Sequence, residues 1–471
     1  YSIYAGTDPR PFLLPAIPLM GAGLFQFIFF KISVDIRPVS GLLLMGLFWL
    51  FLFAVGSVPY ILIGAEPIDA VFESISGFTP TGATIFPDLS VFPMSLMIWR
   101  SFTQWIGGIT VILIFMYFLP MIGIGRTVLS NELSGSGSSD YYLKMEKAAI
   151  SFILVYGLFT VANYLIIICL GVDPVEGMCL TFATISTGGF LPDSISIGKY
   201  PVLVQAVTAV FMFLGGVNFY LHYNAIMNRQ RKVYRSNSEF KFSVVWFAIV
   251  SAIIFMMLLA YSDSDWNTDF LMSTLGNSVF AVISMGTSTG FSIADYSLFP
   301  AQCITLMLIV GLIGSSSGST SGGIKISRLN VIYQFMKTTV NKTLHPSIVK
   351  NVTVDGQVLN NTAILSAFYI FMLFTVTILV GALAIMVCGY DIKDSIEIAI
   401  TMLSNLGTGF SYYGPEGSFS SVNSAVKIIM MALMWFGRLE ILTALIFLTP
   451  AFWKELIVNR GKKARRKRKT A

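Results

Sequence analysis

Apolar residues in this chain run in long unbroken stretches, without the alternation of a strand. Stretches near 11–30, 41–63, 95–120, 147–170, 200–221, 243–261, 363–388 and 424–448 each read as a long apolar helix, and about 20 such residues cross a bilayer core of ~30 Å. A further one, 300–313, breaks in a run of small polar residues and resumes near 324–338. Continuous runs of this kind predict helices, because a membrane barrel shows itself by alternation.

Between alternate runs lie four shorter, semi-polar segments, 67–79, 174–186, 269–287 and 392–405. They are too short or too polar to cross and are predicted as re-entrant helices, whose irregular ends need protein or a water-filled cavity around them. Each begins near an acid or a proline (Glu66-Pro67, Asp173-Pro174, Asp269, Asp391), which suits the positive end of a helix. Each ends in a similar loop: FTPTGAT, ISTGGFL, TSTGFSI and LGTGFSY. The shared glycines are Gly82, Gly189, Gly290 and Gly409, roughly 100–120 residues apart, a domain-scale repeat and not a solenoid. About 25 residues beyond each glycine, small residues are expected to interrupt the following span: WIGGI at 105–109, FLGGV at 213–217, GLIGSS at 311–316 and WFGRLE at 435–440.

The predicted fold is therefore all-α: a polytopic membrane protein of four helix–re-entrant pore loop–helix repeats around a pseudo-fourfold pore, plus an N-terminal helical segment. The expected divisions are 1–36 (N-terminal segment, an incomplete hairpin), 37–130, 131–235, 236–350 and 351–454 (pore repeats one to four), and 455–471 (basic tail). The chain begins at Tyr1, so its start is expected to be missing.

Composition agrees. Of 471 residues, 55% are hydrophobic and 11% charged, against about 25% charged in soluble domains, and the mean hydropathy is +0.76. Cys169, Cys179, Cys303 and Cys388 lack zinc-ligand spacing and read as buried thiols. His222 and His345 are the only histidines, too little for a histidine metal site or triad. No enzyme activity and no cofactor are expected. The net charge of +6 comes from the tail, where residues 460–469 hold eight Lys and Arg. That run suits an anionic cytoplasmic leaflet, and no nucleic-acid partner is expected.

Charge also sorts by side. Segments carrying the glycine loops contain only Lys199, Lys393 and Lys427 among Lys and Arg, with many acids, including Glu66, Asp69, Glu73, Asp88, Asp173, Asp295 and Asp391. The opposite loops carry Arg126, Lys144, Arg229, Arg231, Lys232, Arg235, Lys325, Arg328 and Lys342. The positive-inside rule makes those loops and the tail cytoplasmic. The glycine loops then open outward beneath an acid-rich vestibule, which concentrates cations.

A ring of backbone carbonyls can replace the water around a potassium ion, and glycine reaches the backbone angles this needs. One such loop alone reads as a surface turn; four at one place in a repeat read as a filter. The candidates are Thr81, Gly82, Gly188, Gly189, Thr289, Gly290, Thr408 and Gly409, with potassium at Gly82, Gly189, Gly290 and Gly409. In the third repeat, Gly314, Ser315, Ser316, Ser317, Gly318, Ser319, Thr320, Ser321, Gly322 and Gly323 form a helix-breaking run followed by Lys325. It reads as a plug under the filter; the phosphate-loop pattern is not met, since Lys325 follows Ile324. Arg438 and Glu440 lie in the last span. Arg438 is the candidate fixed charge below the filter, limiting flux or holding the plug, with a structural arginine as its rival. Arg100 and Gln104 read as interfacial or packing residues.

The strings SGFTPTGATI, QWIGGI, IGIGR, ATISTGGF, TSTGF, SSSGSTSGGIKISR, LHP, SNLGTGF and WFGRLEILT resemble those of the Trk/Ktr/HKT superfamily of potassium transporters, most closely its TrkH branch. The resemblance covers about 40–450. It implies that the loop glycines form a potassium filter, that 314–323 is an intramembrane gating loop, and that Arg438 is a pore-facing arginine. It also implies a homodimer in the cell (plasma) membrane, one pore per subunit, seated on a cytosolic TrkA-like ring of nucleotide-binding (RCK-type) regulatory subunits. Two departures stand out. Only the second helix of the usual N-terminal hairpin is clear, and the fourth loop reads GTGF where TrkH-like chains tend to have proline. A glycine in the first loop favours potassium over the sodium-selective HKT variants, which carry serine there. The rival reading is a secondary transporter of another cation or small solute, sodium- or proton-coupled, which calls for inverted repeats.

Overall fold

The computed structural model describes residues 1–3, 5–29, 38–117, 138–193, 196–262, 267–347, 351–410, 414, 417–439, 441, 449–450 and 452–454. Arg126, Glu440 and the basic tail lie outside them. The described elements are helical except for one short hairpin.

A leading helix α1 (Arg10–Phe29) precedes four units of one design. In the first, an outer helix α2 (Pro38–Leu62) is followed by a short pore helix α3 (Pro67–Phe78) and an inner helix α4 (Met94–Tyr117). The second has α5 (Ser138–Cys169), pore helix α6 (Pro174–Ile185) and an inner helix in two pieces, α7 (Val202–Gly216) and α8 (Phe219–Ile226). A single turn, α9 (Val233–Ser236), leads to α10 (Ser238–Ala260), pore helix α11 (Thr268–Gly286), and the inner pair α12 (Ala301–Ile313) and α13 (Ile326–Leu344). A hairpin of β1 (Thr353–Val354) and β2 (Gln357–Val358) precedes the fourth unit: α14 (Asn361–Val387), pore helix α15 (Ile392–Leu403) and inner helix α16 (Ser424–Arg438).

Five described helices hold stretches long and apolar enough to cross a membrane: Leu43–Leu62, Met94–Leu113, Ala149–Cys169, Ser238–Ala260 and Asn361–Val387. The bent pair α7–α8 counts as a sixth. On α14, Leu365, Met372, Leu379, Leu383 and Val387 are exposed, as on a helix that faces lipid instead of water. The chain is a multi-pass membrane protein.

Pore helices start as their sequences direct. Asp173 caps α6, accepting from the amides of Val175 (2.9 Å) and Glu176 (3.2 Å). Asn267 caps α11 through the Phe270 amide (2.8 Å), and Asp269 lies in the first turn, as expected of an acid there. Each pore helix packs between its outer and inner helices. The largest core lies where the first and fourth units meet, with Trp49, Phe53, Phe72, Phe374, Met402 and Met434.

One expectation about the inner helices needs correction: WIGGI does not interrupt its span, because α4 runs unbroken through it, whereas α16 ends at Arg438, inside WFGRLE. These glycines serve close approach. A Cβ on Gly107 would collide with the carbonyl of Phe78, the last residue of α3, and one on Gly437 with the carbonyl of Leu403, the last of α15. A Cβ on Gly215 would stand 3.2 Å from the carbonyl of Ile185, which ends α6. The small residues thus admit the pore-helix C-termini. FLGGV is a bend, as expected: α7 and α8 meet at 102°, with Val217 extended and Asn218 capping α8; GLIGSS also breaks its span, since α12 ends at Ile313. The cysteine reading also changes. All four are free, but Cys169 is exposed and Cys388 half-buried, while Cys179 and Cys303 are buried.

Candidate functional site: four loops, a plug and an arginine

The pore-helix ends carry the four glycine loops into one ring. In each loop the residue before the glycine returns its amide to the carbonyl five positions earlier: Thr81 to Ser76 (2.9 Å), Gly188 to Ala183 (2.8 Å), Thr289 to Ser284 (2.9 Å) and Leu406 to Thr401 (2.8 Å). The next residue is a glycine with positive φ: Gly82 (84°), Gly189 (87°), Gly290 (76°) and Gly407 (68°). A side chain there would meet the backbone of the neighbouring unit. Gly82 faces the Gly188 carbonyl, Gly189 that of Thr289, Gly290 that of Leu406, and Gly407 that of Thr81. The order runs one, two, three, four and back to one, so the ring is closed.

This register corrects the fourth loop. The alignment on TGF pairs Thr408 and Gly409 with Thr81 and Gly82, whereas the folded loop puts Leu406 and Gly407 there. The physical reason is the helix end. The amide returning to the fifth residue back is counted from where α15 stops, and that count reaches Leu406. Thr408 instead donates its hydroxyl to the Gly290 carbonyl (2.7 Å). Gly409 lies two residues on and lines the cleft outside the ring, together with Gly82, Gly189, Gly290, Gly407 and Thr408.

Side chains behind the ring fix its backbone. Gln104 on α4 is fully buried; its amide nitrogen donates to the Gly188 carbonyl (2.5 Å) and its oxygen accepts from the Phe190 amide (3.0 Å). Arg100, one turn earlier, is 1% exposed and pairs with Glu73 at 3.3 Å. Neither is interfacial. Glu73 accepts from the Ile85 amide (2.8 Å) and the Thr84 hydroxyl (2.5 Å), and Glu397 accepts from the Phe410 amide (2.5 Å). Sequence reasoning counted Glu73 among the acids of the outer vestibule, whereas it is fully buried, and it did not single out Glu397. The signal was an acid at a similar place inside two semi-polar helices, where burial demands a partner. Asp193 lines the same cleft and lies 3.4 Å from Lys199. Asp88, fully exposed nearby, has its carboxyl held below the usual range by the hydroxyl and then the amide of Ser90.

Beneath the ring lies the run 314–323, non-helical and buried except for half-buried Gly323. Its backbone groups find the partners that membrane depth requires. Ser316 and Thr320 donate amides to the Gly216 and Gly215 carbonyls (3.1 and 3.2 Å). The Ser315 hydroxyl reaches Gly216 (2.6 Å) and that of Thr320 reaches Gly215 (3.0 Å). The Gly318 carbonyl accepts from the Phe219 amide (3.1 Å), and Glu239 accepts from the Ser317 amide (2.6 Å). The Gly322 amide bonds the Ser288 hydroxyl (2.6 Å) in the third loop, and a Cβ on Gly322 would strike the Ser404 carbonyl of the fourth. Ser319 and Ser321 share a 2.8 Å bond. Gly314 and Gly323 take positive φ where the two ends of the run meet. Lys325 donates to the Ser321 carbonyl.

Arg438, 5% exposed, spans from α16 to this run. It donates to the Thr320 carbonyl at 2.7 Å and to the Gly107 carbonyl at 3.3 Å. Among the described residues no group of three or more His, Cys, Asp and Glu could hold a metal ion. His222 is buried and engaged with the Tyr234 hydroxyl (2.7 Å) and the Leu214 carbonyl (2.9 Å), a packing role.

The family model TrkH, described as a cation transport protein, matches residues 55–455. The chain is 29% identical to the Trk system potassium uptake protein TrkH of Escherichia coli K12, over 96% of this chain and 97% of that one. It is 30% identical to the protein of the same name from Halomonas elongata, over 89% and 87%. The crystal structure of the potassium transporter TrkH from Vibrio parahaemolyticus superposes with a TM-score of 0.83 at 27% identity, covering 94% of this chain and 92% of that one.

Proposed function

The chain belongs to the TrkH family of cation transport proteins, and from that premise we propose that it takes up potassium through a single gated pore on its pseudo-fourfold axis. The observation that carries the reading is the closed ring of loops, with one return bond and one positive-φ glycine per unit. Such a ring offers main-chain oxygens to an ion that leaves its water behind. The pore helices aim their negative C-termini at the space below, which favours a cation there.

In this reading the filter is built from Thr81, Gly82, Gly188, Gly189, Thr289, Gly290, Leu406 and Gly407, with Thr408 and Gly409 at its outer edge. Potassium is the transported ligand. The run 314–323 is the gate, held shut by Arg438 and Lys325. The protein works as a homodimer in the plasma membrane with its basic tail in the cytoplasm. A cytosolic nucleotide-binding ring of TrkA-like type opens it, contacting the basic inner loops. The relatives named as potassium uptake proteins support the cation, and their coverage of nearly the whole chain supports the pore.

Reconstitution into liposomes tests the reading, with flux measured for potassium, rubidium, sodium and lithium. Potassium and rubidium are expected to pass well ahead of sodium and lithium. Equal rates for all four would rule out a selective filter.

A further inference from the structure

The four junctions of the ring are fastened differently, and at the one between the first and second units a buried ion pair lies directly behind the loops. Between the second and third units, the Ser292 amide and carbonyl meet the Ser196 hydroxyl (3.0 Å) and the Ile197 amide (3.1 Å). Between the third and fourth, the Thr408 hydroxyl donates to the Gly290 carbonyl (2.7 Å). Between the fourth and first, Asn405 donates to the Thr81 hydroxyl (3.0 Å), and the Phe419 amide to the Thr84 carbonyl (2.8 Å).

The junction between the first and second units is held by Gln104, through Gly188 and Phe190, and by Arg100. Its Nε faces Glu73 (3.3 Å), one Nη donates to the Thr84 hydroxyl (3.0 Å), and the other to the Leu191 carbonyl (3.3 Å). Its guanidinium carbon lies 4.0 Å from the centre of the Phe190 ring. Thr84 and Glu73 belong to the first unit, and Phe190 and Leu191 follow directly on Gly189 in the second. Counted back from the inner-helix glycines, the other units place Thr208, Met307 and Met430 at the corresponding position.

We propose that Arg100 and Glu73 form a positioning couple that sets the spacing of the first and second loops and thereby the discrimination between potassium and sodium. The inference rests on the potassium reading above. Sodium is the smaller ion, so rejecting it by fit requires oxygens that do not close in around it. Arg100 supplies a rigid planar fork that bonds two loops at once, and a lysine cannot reproduce it. Burial away from water makes the charged bonds strong and makes either charge alone costly.

The test uses purified full-length protein, reading thermal stabilisation against potassium and against sodium concentration. This readout does not need an open gate. Arg100→Lys keeps the charge and loses the fork, the double variant Glu73→Gln/Arg100→Gln removes both charges together, and Thr84→Val is milder. The potassium concentration for half-stabilisation is expected to rise about tenfold in the first two and about threefold in the third, with sodium shifting less than about twofold; tenfold corresponds to ~1.4 kcal/mol. Variants that keep the wild-type preference, or that shift both ions equally, overturn the inference and leave the couple merely structural. A wild type without preference overturns the potassium reading itself and the inference with it. Thr84→Val replaces a hydroxyl by a methyl, so it tests the couple even if the charge variants do not fold.

Discussion

Glycine at 82, 189, 290 and 407 does two things that no other residue can do together. It takes a positive φ, and it lets a neighbouring unit's backbone into the space a Cβ would fill. Outside glycine that conformation costs roughly 1–2 kcal/mol per residue, before any collision is counted. Gly407→Ala would press a methyl on the Thr81 carbonyl. It is therefore expected to weaken potassium-dependent thermal stabilisation of the purified protein by at least about tenfold, the effect of ~1.4 kcal/mol, and Gly82→Ala by a similar amount. The TGF alignment singles out Gly409 instead. If Gly407→Ala binds potassium like the wild type while Gly409→Ala does not, the register with Gly407 in the ring is wrong. The general need for glycine was legible from four similar loops. Which glycine the fourth loop uses was not, because that follows from where α15 ends.

The broken inner helix of the third unit depends on borrowed partners. A stretch of Gly, Ser and Thr has little helix propensity of its own, and here α7, the third pore loop and α16 supply its bonds. One tie is the charge-assisted bond from Arg438 to the Thr320 carbonyl at 2.7 Å, a class worth about 1.5–3 kcal/mol. Arg438→Ala is expected to raise resting rubidium flux into liposomes by roughly ten- to a hundredfold, the equivalent of that free energy. Unchanged flux would leave Arg438 as a packing residue. The sequence showed that 314–323 could not be a helix, and it showed a charge in the last span. It did not show that the arginine reaches this run, nor that Glu239 accepts from Ser317, since those contacts join helices far apart in the chain.

Four units arranged in a circle must meet end to start, and one of the closing contacts is an ion pair. Lys427 on α16 lies 2.7 Å from Asp69 in the first turn of α3, 358 positions away. The side chains are 8% and 22% exposed, so losing one partner leaves a poorly solvated charge. Breaking a fully buried pair costs about 3–5 kcal/mol and an exposed one under ~1. Lys427→Met is therefore expected to lower stability by about 1–3 kcal/mol, between those limits. The double variant Asp69→Asn/Lys427→Met should recover much of that. Thermal unfolding in detergent measures both, and a double variant no more stable than the single one would show that the pair does not close the ring.

Patterning along the chain was enough for the broad architecture: apolar runs set the outer helices, short semi-polar runs the pore helices, and recurring glycine loops the fourfold plan. These are local properties, since hydrophobic length and helix signals act over a few turns. The bend between α7 and α8, the unbroken course of α4 and the fastening of each junction arise only when units pack together. Arg100 shows the difference most clearly. In the chain it is one cation near a membrane span; in the fold it is buried against Glu73, Thr84, Phe190 and Leu191. Only the packed neighbours determine whether such a charge is paired, because burial removes the water that would otherwise satisfy it.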